Sequence, residues 1–163
     1  MTLLRTPRLT LTTLTRDEAA AVRADDREGR GWAPDYPTAG DLLVAAVVLE
    51  AGDAYDEDAP LGPMQLRRSA TGEVIGGIGF LHAPDPDGTV EIGYGLAESA
   101  RGQGYATEAV EAMVAFAMAQ GASAVVAMTT ADNAPSQRVL QRCGFVASGT
   151  VESDDGPLLR WVR

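Results

Sequence analysis

Lysine is missing from this chain altogether. All 13 basic residues are arginines, set against 23 acidic ones, for a net charge of −10 over 163 residues. A surplus of negative charge repels polyanions, so nucleic-acid binding through a basic patch is disfavoured and cationic partners are favoured. Cysteine is almost absent too: Cys143 stands alone, which rules out an internal disulfide and a cysteine-built metal centre. The one histidine, His82, has no partner at ligand spacing, so no metal is expected. No apolar run approaches the roughly 20 residues that a membrane-crossing helix needs. The opening Met1–Pro7 lacks the hydrophobic stretch and cleavage site of an export signal. The expectation is a cytoplasmic protein with no membrane partner. Repeats, low-complexity tracts and linkers are also lacking, and residues 1–163 read as one domain.

What is present is an ordered alternation of strand and helix signals. Residues 6–14 alternate as a strand and run into Thr15-x-x-Glu18, a capping box that starts a helix over about residues 16–26. Gly and Pro break up 29–40, and an apolar helix follows over 41–51, with Asp41 as its cap and Gly52 as its stop. After an acidic loop, three strands (64–69, 73–82 and 89–96) form a meander. A helix over 104–120, a buried strand over 124–129, a helix over 133–143 and two strands (145–150 and 158–162) around Asp154-Asp155-Gly156 complete the chain.

The most informative stretch lies between the third meander strand and the long helix. Arg101-Gly102-Gln103-Gly104-Tyr105-Ala106 places glycines where a strand turns into a helix. There, backbone N–H groups approach a ligand closely and the helix dipole favours an anion. The segment lacks the Gly-Lys-Ser/Thr end of a P-loop and the three-glycine frame of a dinucleotide fold. It resembles motif A of the GNAT superfamily of acyl-CoA-dependent N-acyltransferases, with Arg101, Gly104 and Ala106 at the motif positions. Thr6-Pro7-Arg8-Leu9-Thr10-Leu11, Glu91-Ile92-Gly93-Tyr94, Gly104–Ala109, Asn133-Ala134-Pro135-Ser136 and Cys143-Gly144-Phe145 are similar to the RimJ/RimL-type branch. The resemblance implies an α/β (α+β) fold: a mixed, mostly antiparallel central sheet flanked by helices and splayed between its fourth and fifth strands.

It also implies acetyl-CoA as co-substrate, with its pyrophosphate held by Arg101 and the backbone of Gly102, Gln103, Gly104, Tyr105 and Ala106. The pantetheine arm would meet the backbone of Leu96 at the splay. Asn133 and Ser136 would face CoA, with the Ser136 hydroxyl beside the sulfur. Capping alone accounts for Asn133 nearly as well. Glu91 shares a strand face with Gly93 and Gly95, whose missing side chains leave room beside a carboxylate. It is the candidate general base, with a solvent-facing or ion-paired glutamate as the other reading. The acceptor that the resemblance implies is a primary amine. A protein N-terminal α-amine of pKa about 8 is roughly one-tenth neutral at pH 7 and needs less of a base than a lysine amine near ~10.4. A small-molecule amine, or a non-catalytic acyl-CoA sensor, stays open, and the resemblance allows a homodimer. Arg138 and Arg142 share a helix face and either reach the phosphates or lie in solvent. Trp32, Tyr36 and Pro37 either wall the acceptor pocket or pack a loop.

Overall fold

The computed structural model describes residues 1–163. Twelve elements follow in chain order: β1 (Leu3–Arg5), β2 (Leu9–Thr13), α1 (Arg16–Ala24), α2 (Ala39–Ala51), β3 (Met64–Arg68), β4 (Val74–Phe80), β5 (Thr89–Leu96), α3 (Tyr105–Ala119), β6 (Ala124–Thr129), α4 (Ala134–Arg142), β7 (Val146–Ser153) and β8 (Gly156–Val162). The strands make one eight-stranded sheet in the order β1-β2-β3-β4-β5-β6-β8-β7. Every neighbouring pair is antiparallel except β5–β6, which is parallel. The expected mixed, mostly antiparallel sheet with flanking helices is what the chain forms.

Local chemistry sets the boundaries. The expected first strand over 6–14 is β2, and a further short strand, β1, precedes it; Pro7 between them lacks an N–H and cannot serve a ladder. The chain turns there, with Thr6 N–H donating to Leu9 O at 2.9 Å and Thr6 Oγ accepting from Leu9 N–H at 3.0 Å. Thr15 caps α1 as expected, accepting from Glu18 N–H at 3.2 Å. The Glu18 carboxylate, however, leaves the box and takes Arg67 Nη2 at 2.7 Å, across to β3. α2 begins two residues earlier than expected. Its cap is Thr38, and Asp41 sits at the third helical position and closes a full capping box, accepting from Thr38 N–H at 2.8 Å. α3 and α4 start at Gly104 and Asn133, as the sequence indicates.

The two helix pairs lie on opposite faces of the sheet. A Cβ added to Gly77 would meet Asp41 Oδ1 at 2.6 Å, and one on its cross-strand neighbour Gly95 would meet Thr38 Oγ at 3.6 Å. The N-terminus of α2 therefore rests on glycine-paved sheet. Tyr94, the next residue along, points to the other face and reaches α4. The core fills both layers, from Leu9, Leu11, Leu66 and Ile75 to Val110, Met113 and Leu140. Tyr36 belongs to this core: its ring is 1% exposed, and its hydroxyl accepts from Gln65 Nε2 at 3.2 Å. It is not a wall of an open pocket. No helix is long and apolar enough to cross a membrane.

Candidate active site at the splayed strand

β5 builds the site by parting from β6. The parallel pairing runs Thr89–Ala124, Val90–Val125 and Glu91–Val126 and then stops, whereas the β4 side stays paired as far as Leu96. Glu91 O accepts Leu81 N–H and Ala97 N–H donates to Ile75 O, both at 2.9 Å. Odd-numbered residues thus serve β4. By alternation, Ile92, Tyr94 and Leu96 turn their backbone groups toward the gap. The Leu96 carbonyl already accepts one hydrogen bond, from Arg101 Nε at 3.1 Å, so one of its two lone pairs is engaged within the protein.

The gap widens into a cleft of about 680 Å³ between the N-terminal ends of α3 and α4. Leu96, Arg101, Gly102, Gly104, Tyr105, Ala106, Asn133 and Ser136 all line it, so nearly the whole expected set meets in one place. Gln103 does not. Its side-chain amide turns back to Ser99 O at 3.2 Å and its carbonyl accepts from Arg8 Nη1 at 2.8 Å. Glu91 is not in the lining either. It occupies the other face of β5, at the point where the strands part, with Oε2 3.9 Å from His82 Nε2.

The floor of the cleft is backbone. Gly102 and Gly104 adopt φ of +72° and +81°, values that favour glycine, and a Cβ at Gly102 would meet nothing within 4 Å. Gly104 caps α3 without a side chain, so the first N–H groups of the helix remain available to an anion. Three arginines, Arg101, Arg138 and Arg142, stand in the lining, and no Asp or Glu does. In a chain of net charge −10, a carboxylate-free cleft with three guanidinium groups is a local inversion of sign suited to phosphates.

Contacts from distant segments hold this floor in place. Glu108, one turn into α3, accepts from Thr6 Oγ at 2.5 Å, Arg8 N–H at 2.8 Å and Arg8 Nε at 2.6 Å. Burial alone would raise its pKa, but these hydrogen bonds and the Arg8 charge outweigh burial and hold it below the usual carboxylate value. The Arg8 guanidinium also lies 4.8 Å from the centre of the Tyr105 ring. Arg8 was not among the expected site residues, since nothing local links it to a partner 100 positions away. On the opposite wall, Asn133 Oδ1 accepts Ser136 N–H at 3.2 Å, the expected N-cap. Tyr94 Oη lies 2.7 Å from Ser136 Oγ. Burial raises the Tyr94 phenol above its ordinary pKa, against the opposing hydrogen bond with Ser136. Cys143 is buried in the core and desolvation pushes its thiol up to about 11. No cluster of three or more His, Cys, Asp or Glu is placed to hold a metal ion.

The family model of the acetyltransferase (GNAT) domain matches residues 8–146, a span that runs from Arg8 through the splay and the cradle to the start of β7. The chain belongs to the GNAT family. Among relatives, the uncharacterized N-acetyltransferase YjdG of Bacillus subtilis is 37% identical over 75 residues, 45% of each protein. The match thus spans under half the length of that relative. Among solved structures, an acetyltransferase of Agrobacterium tumefaciens superposes with a TM-score of 0.69 at 27% identity, covering 100% of this chain and 94% of that one. RimL, a ribosomal L7/L12 alpha-N-protein acetyltransferase solved with coenzyme A, superposes with a TM-score of 0.74 at 17% identity, covering 99% and 97%. This GNAT domain therefore shares its fold with the RimJ/RimL-type enzymes that its motifs resemble.

Proposed function

We propose that this GNAT protein is an acetyl-CoA-dependent N-acetyltransferase acting on a primary amine, in particular the α-amine of a protein or peptide N-terminus. The observation that carries the reading is the arginine-lined, carboxylate-free cleft whose glycine floor opens on the splay of β5. The lining fits acetyl-CoA. The first N–H groups of α3, with Arg101, Arg138 and Arg142, would hold its phosphates, and Asn133 and Ser136 would border its sulfur end. When bound, acetyl-CoA supplies an activated thioester carbonyl. The Leu96 N–H would stabilise negative charge that develops on that oxygen. Glu91 would take the amine proton from the far face of β5, so the acceptor enters opposite to CoA, and Ser136 would donate a hydrogen bond toward the sulfur. A thiol of pKa about 8.5 leaves without a strong acid.

An α-amine suits this arrangement because a single carboxylate at the rim need remove a proton from a group that is already partly neutral. The alpha-N-protein activity named for RimL is of that class. One continuous sheet from β1 to β7 supports treating residues 1–163 as a single domain, and use of acetyl-CoA supports a cytoplasmic site of action.

The test is thioester cleavage measured with N-terminal peptides, polyamines and aminoglycosides. Preference for peptides supports the reading. Preference for a small amine moves the acceptor to that class, and tight CoA binding with no transfer to any amine identifies a sensor instead.

A further inference from the structure

Tyr94 has a feature that packing does not require. Its ring is half-buried between β5 and α4, a position phenylalanine would fill without bringing a hydroxyl into an interior contact. That hydroxyl lies 2.7 Å from Ser136 Oγ and 3.3 Å from Ser136 O, and both side chains line the cleft. Each hydroxyl carries one proton, and the Tyr94 proton has two acceptors within the protein, Ser136 O and Ser136 Oγ, which gives two arrangements. In the first, Tyr94 donates to the Ser136 carbonyl and Ser136 spends its proton on Tyr94, facing away from the cleft. In the second, Tyr94 donates to Ser136 Oγ, and the serine proton is free to turn into the cleft. The first depends on a 3.3 Å contact, beyond the usual 2.5–3.0 Å of an O–H···O bond, whereas the second uses only the 2.7 Å contact. A hydroxyl that accepts one hydrogen bond is also a stronger donor of the next.

We infer that Tyr94 is the positioning residue that aims the Ser136 hydroxyl at the departing sulfur of acetyl-CoA, an inference that rests on the acetyl-transfer reading above. The amine nitrogen bonds the acyl carbon, the carbon–sulfur bond breaks and the sulfur takes its electron pair. The amine proton leaves on the Glu91 side. Neither hydroxyl loses its proton: a phenol ionises near 10, higher when buried, and a thiol near 8.5, so the pair supplies a hydrogen bond to the thiolate and no proton transfer. The charged and titratable groups facing this point are Cys143 at the end of α4, Arg101 ahead of α3, Tyr105 on α3, and Arg138 and Arg142 on α4.

The test follows the ionisation of CoA itself by thiolate absorbance, in the complex with the full chain. Cys143, raised to about 11, stays a thiol over the range that matters. In the wild type the bound CoA thiol ionises below free CoA. Ser136→Ala raises that pKa by about half to one unit. Tyr94→Phe recovers at least half of the same rise, leaves CoA affinity within about twofold and lowers kcat more than it changes KM. The double variant goes no further than Ser136→Ala, since the two act as a unit. A thiol that ionises in Tyr94→Phe as in the wild type overturns the inference, as does a double variant whose shift is the sum of the two. An unshifted Ser136→Ala removes the role of Ser136 and the inference with it. CoA that does not bind at millimolar concentration overturns the acetyl-transfer reading as well, so the two failures are told apart.

Discussion

Glu91 and Glu108 are two glutamates close in sequence that the fold uses in opposite ways. Glu91 stands at the end of the β5–β6 pairing, facing His82, with its side chain about one-quarter exposed. As a base it matters most when the amine is protonated, and an α-amine of pKa about 8 becomes tenfold less neutral with each unit of falling pH. Glu91→Gln is therefore expected to lower kcat/KM by about 10- to 100-fold at pH 6.5 and by much less above pH 8, with CoA affinity unchanged. An equal loss at every pH in a steady-state profile would remove the base role. Glu108 is structural, and its folded pKa lies below the unfolded one. Its contribution is complete above the ordinary carboxylate value near 4.3 and disappears as pH falls through the lowered value. The melting-temperature gap between wild type and Glu108→Gln is expected to be constant from pH 7 to about 5 and to close in stronger acid. Asp41 has the reverse sign, because burial raises its pKa, so its effect on stability worsens as pH rises from 3.8 through the raised value. Sequence alone marked Glu91 by strand alternation and placed Glu108 in the first turn of a helix. It did not reveal that Thr6 and Arg8 would reach Glu108, because that contact spans a hundred positions.

At the scale of elements, the junction between β5 and α3 is the proposed phosphate site, and glycine is its enabling residue. Gly104, with φ of +81°, and Gly121, with φ of +94° after α3, carry a similar left-handed cost when replaced by alanine, roughly 1–2 kcal/mol each. Only Gly104 borders the cleft, and an added Cβ there would stand 3.3 Å from Arg8 Nη2. Gly104→Ala and Gly121→Ala are thus expected to lower stability alike in a denaturant titration. Only Gly104→Ala should weaken CoA binding, by about tenfold. Equal affinities for the two variants would show that the turn does not hold the phosphates. This junction was legible because its signal is local: glycines between an alternating strand and an apolar helix. α2 was less so. Thr38 and Asp41 both qualify as caps, and the choice was settled by the carboxylate reaching back to the Thr38 N–H over Gly77 and Gly95, a packing that sequence spacing does not encode. β1 was missed because three residues are too few to show a period.

At the scale of the whole molecule, the acidic surface and the arginine-lined cleft would act on the two proposed substrates with opposite sign. A net charge of −10 attracts a cationic acceptor over distances of the order of a Debye length, about 10 Å at 0.1 M salt and about 30 Å at 0.01 M. Raising salt from about 0.01 M to 0.3 M is expected to increase KM for a cationic peptide several-fold and to leave KM for a peptide without extra positive charge nearly flat. Matching salt responses for both peptides would show that the surface field plays no part in capture. The sequence by itself determined the order of the elements after β1, the family resemblance, the glycine turn before α3 and the excess of negative charge, because each of these is written in neighbouring residues or in simple counts. Only the tertiary structure decided that Arg8 braces the turn before α3, that Glu91 and Ser136 occupy opposite faces of β5, and that Tyr94 meets Ser136. The physical reason is range: propensity, capping and alternation act over a few residues, whereas the Tyr94–Ser136 and Arg8–Glu108 contacts join groups 42 and 100 positions apart.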